Sequence, residues 1–140
     1  MRRLSSLPTR LLSLAAMQSD RRVTEGLATA DARKWHFAVL ATLDESGPAS
    51  QAQLSERTGI FRSDIVAVVN ELAGRGQVER APNPADRRQN VISLTARGRR
   101  QLATLDGLLA EAEDDVLAPL SPAERAELVR LLTAIVRPHE

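Results

Sequence analysis

The 140-residue sequence predicts a mainly α-helical chain with one small β-hairpin, and three observations carry that prediction. Apolar residues recur at helical spacing along most of the chain. The period changes only once, to two short β-branched runs near residues 77–94. The core must be built from Leu, Val, Ile and Ala, because the chain has only two Phe, one Trp and no Tyr, and that palette suits helix packing better than stacked sheets. With 43% apolar and 26% charged residues, the composition is that of a globular chain rather than a disordered one. A length of 140 residues fits a single domain, 1–140, with helices at 4–28 and 96–137 flanking a central unit at 32–95.

The first helix is expected over Leu4 to Leu27, with Leu4, Leu7, Leu11, Leu14, Val23 and Leu27 near helical spacing and Pro8 in its first turn. Gly26 and the Thr29-Ala30-Asp31 stretch mark a break. Asp31 is then expected to cap a second helix, Ala32 to Leu43, with Trp35, Val39, Leu40 and Leu43 turned inward. Asp44 to Pro48 reads as a turn. Ser50-Gln51-Ala52-Gln53 has the capping-box form, in which hydroxyl and amide satisfy backbone donors reciprocally, and it opens a short helix from Gln51 to Arg57 stopped by Gly59. A fourth helix follows from Arg62 to Gly74, with Ile65, Val68, Val69 and Leu72 on one buried stripe. Strands are expected at Gln77–Ala81 and Asn90–Leu94, joined by a tip of Pro, Asn and Arg residues. Thr95 caps a long helix to about Val116. Ser121-Pro122-Ala123-Glu124, a second capping box, opens the last helix, which runs to about Val136.

Charge is segregated along the chain. Residues 50–100 carry nine arginines against five acids, whereas residues 101–140 carry three arginines against eight acids. A basic middle beside an acidic tail points to a polyanion that meets the middle alone. Cysteine is absent, which excludes disulfides, thiolate metal ligands and a Cys nucleophile. His36 and His139 stand far apart with no acidic cluster around either, so no metal or other cofactor is called for. No nucleophile–base or paired acid/base constellation assembles, and the chain is read as a non-enzyme. No apolar run approaches the ~20 residues of a membrane span, and Met1 to Leu14 lacks a signal-peptide core. A cytoplasmic chain with no membrane partner is expected.

The central block is helix, glycine turn, helix, then a hairpin with a basic tip. A short helix followed by Thr58-Gly59-Ile60 and a second helix has the build of a helix-turn-helix, whose second helix is narrow enough for a DNA major groove. With the apolar stripe inward, Arg62, Ser63, Asp64, Val66, Ala67 and Asn70 are left toward DNA. Arg87 and Arg88 sit where a wing reaches a neighbouring minor groove, whose negative potential attracts guanidinium groups. Asp86 is expected to hold one of those guanidiniums by a bidentate pair. Arg97, Arg99 and Arg100 read as solvated residues of a helix start. Leu4–Leu27, Ala96–Val116 and Glu124–Val136 present more apolar surface than one small winged unit can cover, which predicts a homodimer.

The stretches Gln53-Leu54-Ser55-Glu56-Arg57-Thr58-Gly59, Asn70-Glu71-Leu72-Ala73-Gly74-Arg75-Gly76-Gln77-Val78-Glu79-Arg80, Pro84-Ala85-Asp86-Arg87-Arg88 and Leu94-Thr95-Ala96-Arg97-Gly98 resemble the MarR family of bacterial transcription regulators. The Asp-Arg-Arg wing followed by Leu-Thr-x-x-Gly is the most specific part. The resemblance implies a winged helix-turn-helix between interlocking terminal dimerisation helices. It further implies a homodimer on a near-palindromic duplex operator, acting as a repressor, and release by a small anionic or phenolic effector. Trp35 and His36 lie near where the family's effector pocket forms, and are the candidate ligand-binding residues. Two positions depart from the pattern. Phe61 stands where the family commonly carries a Ser cap, and Asp64 where many members carry Thr or Ser. An acid there repels phosphate, though it can accept from cytosine N4. It motivates the competing reading of a winged-helix protein-interaction module without DNA binding.

Overall fold

The computed structural model describes Met1 and residues 3–137; His139 lies outside the described residues. After a single 3₁₀ turn at Leu4–Ser6, six helices and three strands follow: α1 (Pro8–Ala28), α2 (Lys34–Ser46), β1 (Ala49–Ser50), α3 (Gln51–Thr58), α4 (Arg62–Gly74), β2 (Val78–Pro82), β3 (Asn90–Leu94), α5 (Ala96–Val116) and α6 (Pro122–Val136). The helix expected from Leu4 is therefore divided. A residue before proline is disfavoured in the helical region; Leu7 is extended at φ −78°, ψ 120°, and α1 begins on Pro8 itself.

Two expectations at the α1–α2 junction are corrected. Gly26 lies inside α1 rather than ending it, and a Cβ there would touch the carbonyl oxygen of Leu108 on α5 at 3.6 Å. With Arg22 paired to Asp115 one turn earlier, α1 and α5 run antiparallel in close contact. Asp31, expected to cap α2, closes α1 instead. Its φ of 55° puts it in the left-handed region, which Asp tolerates better than most residues. Its N–H bonds the Ala28 carbonyl at 3.0 Å, and Ala32 N–H reaches back to Leu27 at 3.0 Å, the paired closure of a Schellman motif. The start of α2 falls at Arg33, whose N–H donates to Nδ1 of His36 at 3.0 Å.

Around this frame the core is continuous. Ile65, Val68, Val69 and Leu72 of α4 are buried as one stripe and meet Val39, Leu40 and Leu43 of α2, Leu54 of α3, Ile92 of β3 and Leu105 of α5. Each such side chain contributes roughly 1.5–3 kcal/mol on leaving water. The inward stripe of α2 is His36, Val39, Leu40 and Leu43; the last three are the expected ones, but at its start His36 takes the inward position, and Trp35 turns outward and is 41% exposed.

The sheet has the order β1-β3-β2 and is antiparallel. Val78 pairs with Leu94, Arg80 with Ile92 and Pro82 with Asn90, one residue later on the first strand than expected. α2 runs on through Asp44–Ser46 into the expected turn, and β1, not expected as a strand, places Ala49 opposite Ile92 and Ser50 opposite Val91. The turn that leads into β2 is tied to the start of α5 by Thr95 and Gly98. Thr95 caps α5 by accepting from Gly98 N–H at 3.0 Å, and its hydroxyl donates to the Gly76 carbonyl at 2.7 Å. A Cβ on Gly98 would stand 2.0 Å from the Gln77 carbonyl oxygen. Only glycine permits that approach, which gives the Leu-Thr-x-x-Gly sequence a physical reason.

Candidate nucleic-acid interface

The turn between α3 and α4 is fixed by local chemistry. Ser50 and Gln53 form the expected capping box at the start of α3. At its end Gly59 takes φ 76° and bonds back to Ser55 at 2.9 Å. Thr58 Oγ1 donates to the Leu54 carbonyl at 2.6 Å and accepts from Ile60 N–H at 3.2 Å. Ile60 is buried and anchors the turn.

Phe61 occupies the N-cap of α4 and offers no side-chain acceptor. The first N–H groups of α4 are thereby left for another partner, at the end of the helix where the dipole favours negative charge. Ser63, Val66, Ala67 and Asn70, at helical spacing, form an exposed stripe opposite the buried one, and Arg62 is exposed beside them. Asp64 is half-buried in the first turn. Asn70 is less free than the sequence suggests, because its Oδ1 accepts from the Arg80 guanidinium of β2. Phe61, 78% exposed, belongs to this face although the sequence reading treats it only as a missing cap. The signal that could have found it is an aromatic residue set between a turn glycine and a helix.

Residues 83–89 form the wing tip through two successive Asx turns. Asn83 Oδ1 accepts from Ala85 N–H at 2.9 Å, and Asp86 Oδ1 accepts from Arg88 N–H at 3.1 Å. Backbone bonds from Asn83 to Gln89 at 2.9 Å and from Gln89 to Asp86 at 3.0 Å close the tip. The expected bidentate pair at Asp86 is corrected: its carboxylate builds the turn and meets Arg88 Nε once, at 3.5 Å. A short carboxylate two residues before an N–H satisfies the backbone first. Arg87 and Arg88 both project into solvent, Arg88 with 94% of its side chain exposed.

The fold brings together what the sequence separates. A cleft of about 180 Å³ between wing and helix-turn-helix is lined by Ser50, Gln51, Ala52, Arg62, Arg88 and Gln89 among others. Two arginines 26 positions apart, one from each element expected to face DNA, thus line a single concave surface with the start of α3.

Trp35 and His36 do not converge on one space. Trp35 faces out, while His36 is 2% exposed, with Nδ1 accepting from Arg33 and Nε2 at 2.6 Å from Glu71 of α4. These bonds define a neutral ring protonated on Nε2. Burial pushes its pKa below the ordinary value, against the opposing pull of Glu71. Glu71 is held below the usual carboxylate range by hydrogen bonds from His36 and then Arg33, whose Nη2 lies 2.8 and 2.7 Å from its two oxygens.

A helix-turn-helix followed by a basic two-stranded wing and framed by long terminal helices defines the winged-helix class. Within that class, residues 31–89 match the profile of the MarR family. A putative transcriptional regulatory protein for the hcr operon of Thauera aromatica is 33% identical over 72% of this chain and 61% of its own length. Among solved structures, the transcriptional repressor CouR bound to a 23-mer DNA duplex is 31% identical over 96% of this chain and 95% of its own, with a TM-score of 0.88. A MarR-family transcriptional regulator from Rhodococcus sp. RHA1 superposes over 99% of both chains at 25% identity, with a TM-score of 0.87. The chain belongs to the MarR family. It spans about three fifths of the length of the curated relatives it matches.

Proposed function

We propose that the protein is a sequence-specific double-stranded DNA-binding transcriptional regulator, a repressor acting as a homodimer on a near-palindromic operator and released by a small-molecule effector. The observation that carries this reading is the shared cleft of Arg62 and Arg88 beside an uncapped α4 N-terminus. In this reading the open N–H groups of α4, with Arg62, take phosphate oxygens. Ser63, Val66, Ala67 and the free amide of Asn70 meet base edges in the major groove, with Phe61 and Val66 offering apolar contact to thymine methyls. Arg87 and Arg88 enter the adjacent minor groove. Asp86 orients the wing by shaping its turn. No catalytic role is assigned.

Dimerisation is supported by what the single chain leaves uncovered. In α1 only Leu27 is buried, and α6 has no buried residue. Leu4, Leu11, Leu12 and Met17 near one end, and Val129, Leu131, Ile135 and Val136 near the other, are all exposed. A two-fold dimer of this plan reads half-sites about one helical turn apart, ~10 bp centre to centre. Among the described residues no helix is long and apolar enough to cross a membrane, and we place the protein in the cytoplasm beside its DNA. Trp35 and His36 remain the proposed contacts of a small anionic or phenolic effector, with Trp35 as the accessible partner.

Duplexes selected from a random pool, followed by fluorescence anisotropy across a salt series, test the reading. A steep fall of affinity with salt is expected, because phosphate contacts release counterions. Replacing Arg87 and Arg88 together by Ala should flatten the log–log slope by about one unit for each DNA phosphate no longer neutralised, with the fold retained. Failure to enrich any duplex would support the protein-interaction alternative that half-buried Asp64 raises. An unchanged slope in the double variant would remove the wing from the interface.

A further inference from the structure

The opposite end of α4 carries a second, larger cleft of about 550 Å³. Its lining includes Asp31 from the α1–α2 turn, Arg75 and Gln77 from the exit of α4, and Arg97, Arg100 and Thr104 from α5. We propose that this cleft binds a small, multiply charged oxyanion, carboxylate or phosphate in chemistry, and that the bound anion ties the winged unit to the α5 stalk.

The geometry on the α5 side is periodic. Arg97, Arg100, Gln101 and Thr104 fall at i, i+3, i+4 and i+7, so one helix face lines the cleft with two guanidiniums, an amide and a hydroxyl whose proton goes to the Arg100 carbonyl. The opposite wall is held in place. Arg75 Nη1 donates to the Asp31 carbonyl at 2.6 Å and its guanidinium lies 3.5 Å from the Asp31 carboxylate. Gln101 Nε2 donates to the Ala30 carbonyl at 3.2 Å. Arg97 lies beside Gly76, where even an added Cβ would meet its Nη1 at an ordinary 3.6 Å. Three guanidiniums therefore face one space, with Asp31 the single carboxylate on its lining. Among the described residues neither Arg97 nor Arg100 has a carboxylate within salt-bridge distance. Guanidinium forks match carboxylate and phosphate oxygens two at a time, and a polar lining of this size, within the ~300–1,000 Å³ of small-molecule sites, selects a charged ligand rather than an aromatic one. The cleft is not part of the proposed DNA face. It begins at Gly74, the last residue of α4, whereas the Arg62–Arg88 cleft begins at the first, roughly 18 Å away along the helix. Anion binding at this cleft does not rest on the DNA-binding reading.

The test uses the full chain without DNA, titrated by calorimetry with citrate and with inorganic pyrophosphate at constant ionic strength, alongside thermal melting. Saturable binding of one or both probes near one per chain, with a raised melting temperature, is expected; the two probes distinguish carboxylate from phosphate chemistry. The Arg97→Gln, Arg100→Gln double variant should lose at least tenfold in affinity for the probe while keeping duplex affinity without anion within about twofold. Thr104→Glu, which retains every arginine and adds a carboxylate to the cleft, should lose probe binding as well. No saturable binding of either probe to the wild type overturns the proposal, and so does equal binding by a folded double variant or by Thr104→Glu. A large loss of duplex affinity in the double variant without anion would make these arginines phosphate contacts to DNA and would also overturn it. Because the probe is measured in the absence of DNA, its failure leaves the regulator reading standing, and failure to bind any duplex leaves the anion site standing.

Discussion

The winged unit and the terminal helices are built from the same aliphatic palette to opposite effect. Between α2 and β3 the apolar residues are gathered inward: Leu40, Leu54, Ile65, Leu72 and Ile92 are fully buried, and the surface left over is polar and arginine-rich. In α1 and α6 leucines, valines and an isoleucine at comparable spacing remain in solvent. Periodicity alone cannot separate the two cases, since it reports that a face is apolar and not what covers it. The difference teaches that the winged unit is complete as a fold within one chain, whereas the helical frame leaves an apolar face uncovered. In the proposed homodimer a second copy covers it through a self-complementary two-fold interface.

Leu131→Asp with Ile135→Asp should break that comparison most severely. Both side chains are exposed in the single chain, at 46% and 61%, so a protein that works as a monomer would tolerate the change almost without effect. We expect sedimentation to show full conversion to monomer at micromolar concentration and operator affinity to fall by a hundredfold or more, with α2–β3 still folded. A wild-type chain that sediments as a monomer would sink the idea outright.

On the other side of the comparison, Gly98→Ala tests how tightly the winged unit is joined to α5. The new Cβ would stand 2.0 Å from the Gln77 carbonyl oxygen and 2.8 Å from Leu94 Cδ1, so backbone must move. Such overpacking costs about 1–3 kcal/mol, occasionally more. Urea denaturation should show a loss at the upper end of that range, whereas Gly107→Ala on the same helix, with nothing within 4 Å, should be neutral or mildly stabilising.

A subtler link is the buried His36, which joins α2 to Glu71 of α4. Its pKa is lowered by burial from an ordinary 6.5. Above that value the ring is neutral in both states and its bonds to Arg33 and Glu71 are intact. As pH falls below about 6.5 the unfolded chain takes up the proton first, so stability declines. Glu71, lowered from 4.5, adds a loss of the same sign only at more acidic pH, which leaves the interval between 6.5 and about 5 to His36. The melting temperature of the wild type should fall across that interval. His36→Gln, which retains an acceptor for Arg33 N–H but does not titrate, should flatten it; an unchanged slope would exclude His36 as its source.

What was legible in the sequence was local. The Ser50 and Ser121 capping boxes, the Thr95 cap and the α4 stripe each depend on residues within about two helical turns, and each is found where expected. What was not legible depends on distant partners. Asp31 looks like a cap because Asp usually is one; instead it turns left-handed to close α1, and its carbonyl is held by Arg75, 44 positions away. The pattern favours Trp35 over His36 for the inward position because the heavier hydrophobe commonly wins, and the outcome is set by Glu71, 35 positions away. β1 is two residues long and exists only because Val91 and Ile92 lie beside it. The candidate DNA-facing residues follow from motif and spacing, but the meeting of Arg62 with Arg88 in one cleft is a property of the folded chain.

The smallest expected effect concerns Asp64, the residue on which the regulator and the protein-interaction readings divide. It sits in the first turn of α4, half-buried, after an N-cap that Phe61 leaves without a side-chain acceptor. A carboxylate at that place is favoured by the helix dipole by roughly 0.3–1 kcal/mol. If this is its role, Asp64→Asn lowers stability by about that amount and leaves the preferred operator unchanged. If the carboxylate accepts from cytosine N4, the same substitution leaves the melting temperature alone and alters the base selected at one position of each half-site. Simple repulsion from phosphate predicts a third pattern, tighter binding to every duplex with preference and stability both unaltered. We expect the first, because the half-buried position at the helix end favours a structural charge over one presented to a groove. Melting temperature and selected sites measured on the same variant separate the three, and a shifted preference at constant stability would return Asp64 to the base-reading face.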